Sequence, residues 1–130
     1  MTGATTLFTA VEGGDRDRVA ALLESSADPN LRNDRSVPVI TAAAAAGHAA
    51  VVELLLSRGA AVDLATDDDD TALMYAATLG QAEIVKILLA HGADPSHRNR
   101  WGRSVLDWAE NPTNSTEIVV ILQAAGGHKG

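Results

Sequence analysis

The stretch TALMYAATLGQAEIVKILLAHG, residues 71–92, decides the fold. Thr71 is a hydroxyl residue placed to cap a helix N-terminus, and Gly80 closes the first segment as a helix C-cap does. In the second segment Ile84, Val85, Ile87, Leu88 and Leu89 form one stripe on a helix, and Gly92 closes it again. A polar stretch follows, ADPSHRNRWGR (93–103), in which Asp-Pro and Trp-Gly-Arg mark turns. The unit therefore reads helix, tight turn, helix, extended loop. One such pair cannot cover its own apolar face, so neighbouring pairs must stack.

The unit recurs with a period of 33 residues. Gly14, Gly47 and Gly80 share that spacing, as do Ser26, Gly59 and Gly92. Thr5, Pro38, Thr71 and Ser104 keep it at the cap. Leu7, Ile40, Leu73 and Leu106 keep it in the first helix, followed by Ala10, Ala43, Ala76 and Ala109. A register held by this many kinds of position marks a solenoid of repeated helix pairs.

These residues resemble the ankyrin repeat, whose pattern runs Thr-Pro-Leu-His, two alanines, Gly-His, an Ile-Val-x-Leu-Leu-Leu run and Gly-Ala-Asp. TALMYAATLGQAEIVKILLAHGAD (71–94) and PVITAAAAAGHAAVVELLLSRGA (38–60) match well, while TTLFTAVEGGDRDRVAALLESSADPN (5–30) and SVLDWAENPTNSTEIVVILQAAGG (104–127) match loosely. The expected architecture is an all-α, ankyrin-like helix-turn-helix solenoid with extended inter-repeat loops. It forms a single domain over 1–130, with repeats at approximately 5–33, 34–66, 67–99 and 100–127.

Departures from the family pattern carry their own expectations. Phe8, Thr41, Met74 and Asp107 replace its histidine, so that residue's hydrogen-bond bracing is expected to be absent. The hairpin glycine survives only at Gly102, with Ser36 and Asp69 in its place elsewhere. Between Ala109 and Ile118 the register against the third unit is ambiguous by one residue; Asn111-Pro112 reads as a turn, with a helix from about Ser115. End units cap a stack with polar surface, which Arg16, Asp17 and Arg18 fit, and the final GGHKG reads as a frayed tail.

Composition excludes several classes of function. The 130 residues are 46% hydrophobic and 21% charged, with 24 alanines and four aromatics, a composition suited to closely packed helices. There is no cysteine, which removes disulfides, thiolate metal sites and thiol catalysis. The net charge of −7 argues against general attraction to nucleic acid. No apolar run approaches a membrane span, and MTGATTLFTAVEGGD lacks the layout of a signal peptide, so a cytoplasmic location is expected.

Nothing in the chain suggests an enzyme or a cofactor. His48, His91, His97 and His128 show no metal spacing, and no nucleophile elbow, phosphate loop or dinucleotide glycine pattern occurs. His48 reads as a turn-capping residue, and His91 as a residue suited to the negative end of a helix dipole. The run Asp67–Asp70 admits three readings: a solvated turn before the cap Thr71, a contact with a basic partner, or a divalent-cation site. An EF-hand-like loop starting at Asp67 fails, because Ala72 and Thr78 stand where it needs Gly and Glu.

The resemblance implies which positions would touch a partner. Loop tips fall at Asp34-Arg35, Asp67-Asp68 and Arg100-Trp101, and the positions before the cap are Val37, Asp70 and Arg103. The exposed position of the first helix is Thr9, Ala42, Tyr75 and Trp108. The expected function is a non-catalytic protein–protein interaction module, an inhibitor, immunity-type protein or adaptor, monomeric when free. Its contacts would be Asp34, Arg35, Asp67, Asp68, Asp70, Tyr75, Arg100, Trp101, Arg103 and Trp108. Against this stand two alternatives: Trp101 and Trp108 fold back on their own chain, or the Asp67–Asp70 run serves a cation-responsive or self-associating scaffold. Charge is uneven, −4 in the aspartate run and +1 over 98–130, so a partner of mirrored charge would gain on-rate, unless neighbouring fingers pair with each other.

Overall fold

The computed structural model describes residues 3–109 and 116–126, the first three of them by backbone alone. Eight helices occur among the described residues: α1 (Gly3–Glu12), α2 (Arg16–Glu24), α3 (Val39–Ala46), α4 (Ala49–Ser57), α5 (Ala72–Thr78), α6 (Ala82–Ala90), α7 (Val105–Ala109) and α8 (Thr116–Ala124). They pair as α1–α2, α3–α4, α5–α6 and α7–α8, and the pairs stack into two rows. The inner row is α1, α3, α5, α7, each packed on the next, and the outer row is α2, α4, α6, α8. No extended strand forms among the described residues; the loops show only isolated bridges, Arg32 to Pro38 and Arg98 to Ser104.

The period of 33 sets the core. Leu7, Ile40, Leu73 and Leu106 are all buried, and the alanines at 10, 43, 76 and 109 are buried with them. Small residues there let the inner helices lie close, while Leu55, Ile84, Leu88 and Leu122 fill the space towards the outer row. Alanine-rich composition and scarce aromatics follow from this close stacking.

Caps divide each unit. Thr71 Oγ1 accepts from Met74 N at 3.4 Å, as its place before α5 predicts. The turn between paired helices needs glycine for two reasons. At Gly47 φ is +80°, and an added Cβ would stand 2.8 Å from Gln81 Nε2. At Gly14 the same atom would stand 2.7 Å from His48 Nδ1. The His48 side chain therefore does not cap its own helix. It lies over the preceding unit's turn, where Nε2 donates to the Glu12 carbonyl at 2.9 Å. His91 ends α6 as expected from the sequence.

The fourth unit resolves the register question. The outer helices α2, α4 and α6 begin at 16, 49 and 82, whereas α8 begins at 116. Inner helices α3, α5 and α7 begin at 39, 72 and 105. One extra residue thus lies between Ala109 and Thr116, and Ile118 and Leu122 are buried in the places of Ile84 and Leu88. The left-handed Gly126 likewise stands 34 residues after Gly92. The expected turn at Asn111-Pro112 and the tail beyond Gly126 lie outside the described residues.

The expected loss of bracing at the histidine position holds for Thr41, whose buried hydroxyl has no hydrogen-bond partner among the described residues. It does not hold for Asp107. That carboxylate accepts from Ser104 N at 2.9 Å and from Ser104 Oγ at 3.2 Å, and Asp107 N donates back to Ser104 Oγ at 3.4 Å. A capping box braces α7 instead.

Candidate interaction surface

The three inter-unit loops are fingers built on one plan. A side-chain oxygen at 33, 66 and 99 takes the amides two and four residues on. Asn33 Oδ1 accepts from Arg35 N (2.8 Å) and Val37 N (3.0 Å), and Thr66 Oγ1 from Asp68 N (3.3 Å) and Asp70 N (3.2 Å). Asn99 Oδ1 accepts from Trp101 N (3.0 Å) and Arg103 N (3.1 Å). These are side-chain-closed turns. Each finger then reverses through a left-handed residue, Ser36 (φ 61°), Asp69 (φ 62°) and Gly102 (φ 76°). A serine and an aspartate thus hold the conformation for which glycine is the unstrained choice.

The aspartate run is dispersed among partners in the third finger. Asp68 O accepts from Arg100 N at 2.9 Å, and Asp68 Oδ1 pairs with Arg100 Nη1 at 3.1 Å. The Asp69 carbonyl accepts from His97 Nε2 at 2.8 Å. Asp70 is buried, and its Oδ1 accepts from Asn99 Nδ2 at 3.0 Å. Asp67 is exposed at the tip. Among the described residues no three carboxylates or imidazoles converge on a point where a metal ion could sit.

Asp70 therefore does not stand on the contact face as its sequence position suggests. Burial pushes its carboxyl pKa up, and the Asp68 and Asp69 charges add to that; the Asn99 hydrogen bond and His97 oppose it. The sequence offered no sign of this inward turn. Val37 and Arg103 hold the equivalent positions, and only the presence of Asn99 in the adjoining finger gives Asp70 a buried donor.

Two of the three candidate aromatic residues meet. Tyr75 and Trp108, on adjacent inner helices, are half-buried with ring centroids 6.0 Å apart and planes at 58°. Burial raises the Tyr75 phenol pKa, and the charges of Asp70 and Asp68 add to it, so the ring lies in the field of the second finger. Trp101 is 64% exposed at the tip of the third finger, with the Arg100 guanidinium 5.7 Å from its ring centroid. Arg103 is exposed and donates to the Asp107 carbonyl at 3.5 Å. Contacts thus link Trp101 to Arg100 and Asp68, and Tyr75 to Trp108.

Asp34 and Arg35 are exposed on the first finger, where Asp34 borders an open cleft of about 370 Å³ with Phe8, Thr9, Glu12 and Asn33. Sequence reasoning missed Leu79, which is 51% exposed one helical turn beyond Tyr75. Gly13 and Ala46 hold its position in the first two units, and a large apolar side chain replacing such small residues was a readable signal. Val120, also exposed, stands on outer helix α8.

No helix among the described residues is long and apolar enough to cross a membrane. A family model described as Ankyrin repeats (3 copies) matches residues 7–99 and 40–129. Comparison with curated proteins finds no match.

Proposed function

The chain belongs to the ankyrin repeat family, and from that premise we propose that it docks one protein partner on its fingers and inner-helix face, as a blocker or adaptor without chemistry of its own. Ankyrin repeats are in general protein–protein interaction modules, typically non-catalytic. On this reading the units are approximately 5–33, 34–66, 67–99 and 100–127. Tyr75, Leu79, Trp101 and Trp108 supply the apolar contacts. Arg100 and Arg103 flank Trp101, and Asp67, Asp68, Asp34 and Arg35 extend the contact towards the first unit.

The observation that carries the reading is the 64% exposure of Trp101 on a closed finger. A tryptophan there contributes little to its own core. Trp, Tyr and Arg are the side chains that dominate binding hot spots. Burying such a ring, ~200 Å² at ~25 cal/mol per Å², contributes several kcal/mol before ordering costs. Those costs are small for a finger already held in shape.

The test is affinity capture from the native lysate with wild type beside Trp101→Ala/Leu79→Ala. Both side chains are exposed, so the double variant is expected to keep the wild-type melting temperature. A partner that wild type retains and the variant loses supports the reading. Equal recovery by both would remove these residues as anchors.

A further inference from the structure

We propose that Asp70 and Asn99 are the positioning pair of this surface: joined across two fingers, they hold the third finger, and Trp101 with it, in shape before any partner arrives. The proposal rests on the reading of Trp101 as a contact residue.

Asn99 uses both ends of its side-chain amide at once. Its Oδ1 accepts the amides of Trp101 and Arg103, which shapes the finger. Its Nδ2 donates to Asp70, which ties that shape to the preceding unit. Both residues are only 5% exposed, so the bond is shielded from competing water. A bond to a carboxylate is also stronger than one between neutral groups.

The first two fingers supply the contrast. There Asn33 closes the turn in the same way, but the next position-equivalent residue is Thr66, which has no amide to donate, and Val37 stands where Asp70 would be. Those fingers are linked through Arg32 Nη1, which donates to the Ala65 carbonyl at 2.7 Å. The same nitrogen donates to the Ser36 carbonyl of its own finger at 2.9 Å, so Arg32 also links and shapes, but its side chain is exposed. In the finger carrying Trp101 the side chain that does both is the buried Asn99. The Asp68–Arg100 pair and the His97–Asp69 bond lie on the exposed side of the same junction. Exposed links of that kind constrain little on their own.

The test needs no partner. Amide hydrogen exchange is followed by NMR in wild type, Asp70→Val, Asp70→Asn and the double variant Asp70→Val/Asn99→Thr, which copies the first junction. In Asp70→Val the Trp101 and Arg103 amides are expected to exchange about tenfold faster, while those of Arg35 and Val37 keep their rates. Asp70→Asn retains an acceptor for Asn99 and is expected to restore most of the protection. In the double variant the hydroxyl brought in by Asn99→Thr can still close the turn, so those two amides are expected to stay partly protected. Trp101 fluorescence anisotropy in a Trp108→Phe background is expected to fall in Asp70→Val and recover in Asp70→Asn.

Unchanged exchange at Trp101 and Arg103 in Asp70→Val overturns the proposal, and so does uniform acceleration over all three fingers. Neither result touches the docking reading, which stands or falls on the capture experiment with Asp70 and Asn99 intact.

Discussion

The junction between the first two fingers and that between the second and third share a backbone plan and differ in what fastens them. In the first, an arginine reaches a carbonyl across the gap, and a half-buried Val37 stands where the second has its carboxylate. In the second, a buried carboxylate meets a buried amide, with an ion pair and a histidine bond outside it. A solenoid thus conserves its stacking geometry from unit to unit while varying the latch. The more elaborate latch stands beside the exposed tryptophan, where a fixed shape has most value for docking.

The largest effect is expected where the two junctions do not differ, in the rows of helices behind them. Leu88 is fully buried. Leu88→Ala is expected to cost ~2–5 kcal/mol in urea melts, more than any single change in the fingers. A loss no greater than that of a surface substitution would mean that the stack is not built on this register.

A smaller effect separates the junctions by pH. Asp70's folded pKa lies above the ordinary aspartate value of 3.8, so the native state takes up its proton before the unfolded chain does. This group therefore adds stability as pH falls from its raised pKa towards 3.8, and that gain is absent at neutral pH. The groups acting on it are Asp68, Asp69, His97 and Asn99. Asp94 works in the opposite sense: Ser96 hydrogen bonds hold its pKa down, so its stabilisation is complete above the ordinary value and lost as pH falls through the lowered one. Asp70→Asn leaves Asp94 untouched. Wild type is accordingly expected to gain stability relative to Asp70→Asn as pH is lowered from neutrality, measured by melts at each pH. A relative loss on acidification would mean that burial does not govern the Asp70 carboxyl.

The smallest effect concerns the exposed part of the second junction. Asp68 and Arg100 lie 3.1 Å apart but are 45% and 59% exposed, so Asp68→Ala is expected to cost ~0–1 kcal/mol and to respond weakly to salt. A loss as large as that of Leu88→Ala would place the latch in the ion pair instead of the buried bond.

Legibility differed between scaffold and surface for a physical reason. Helix pairs were readable because Leu73, Ala76, Gly80 and Leu88 recur at fixed spacing, and each type answers a local demand of capping, close approach or burial. Tyr75 and Trp108 were legible as neighbours because they occupy equivalent positions on adjacent inner helices. Leu79 was missed because it stands at a helix end, outside the apolar stripe. Asp70 was misplaced on the contact face because its direction depends on a residue 29 positions away.

What this chain's residues determined unaided is its repetition: period, helix pairs and buried rows, which follow from short-range capping and a helical stripe that must be covered by its neighbours. Tertiary structure alone decided where the extra residue of the fourth unit falls, which aspartate turns inward and which ring stays exposed. Those outcomes depend on side chains that meet only after stacking, when burial makes a buried donor opposite Asp70 worth more than a place in water.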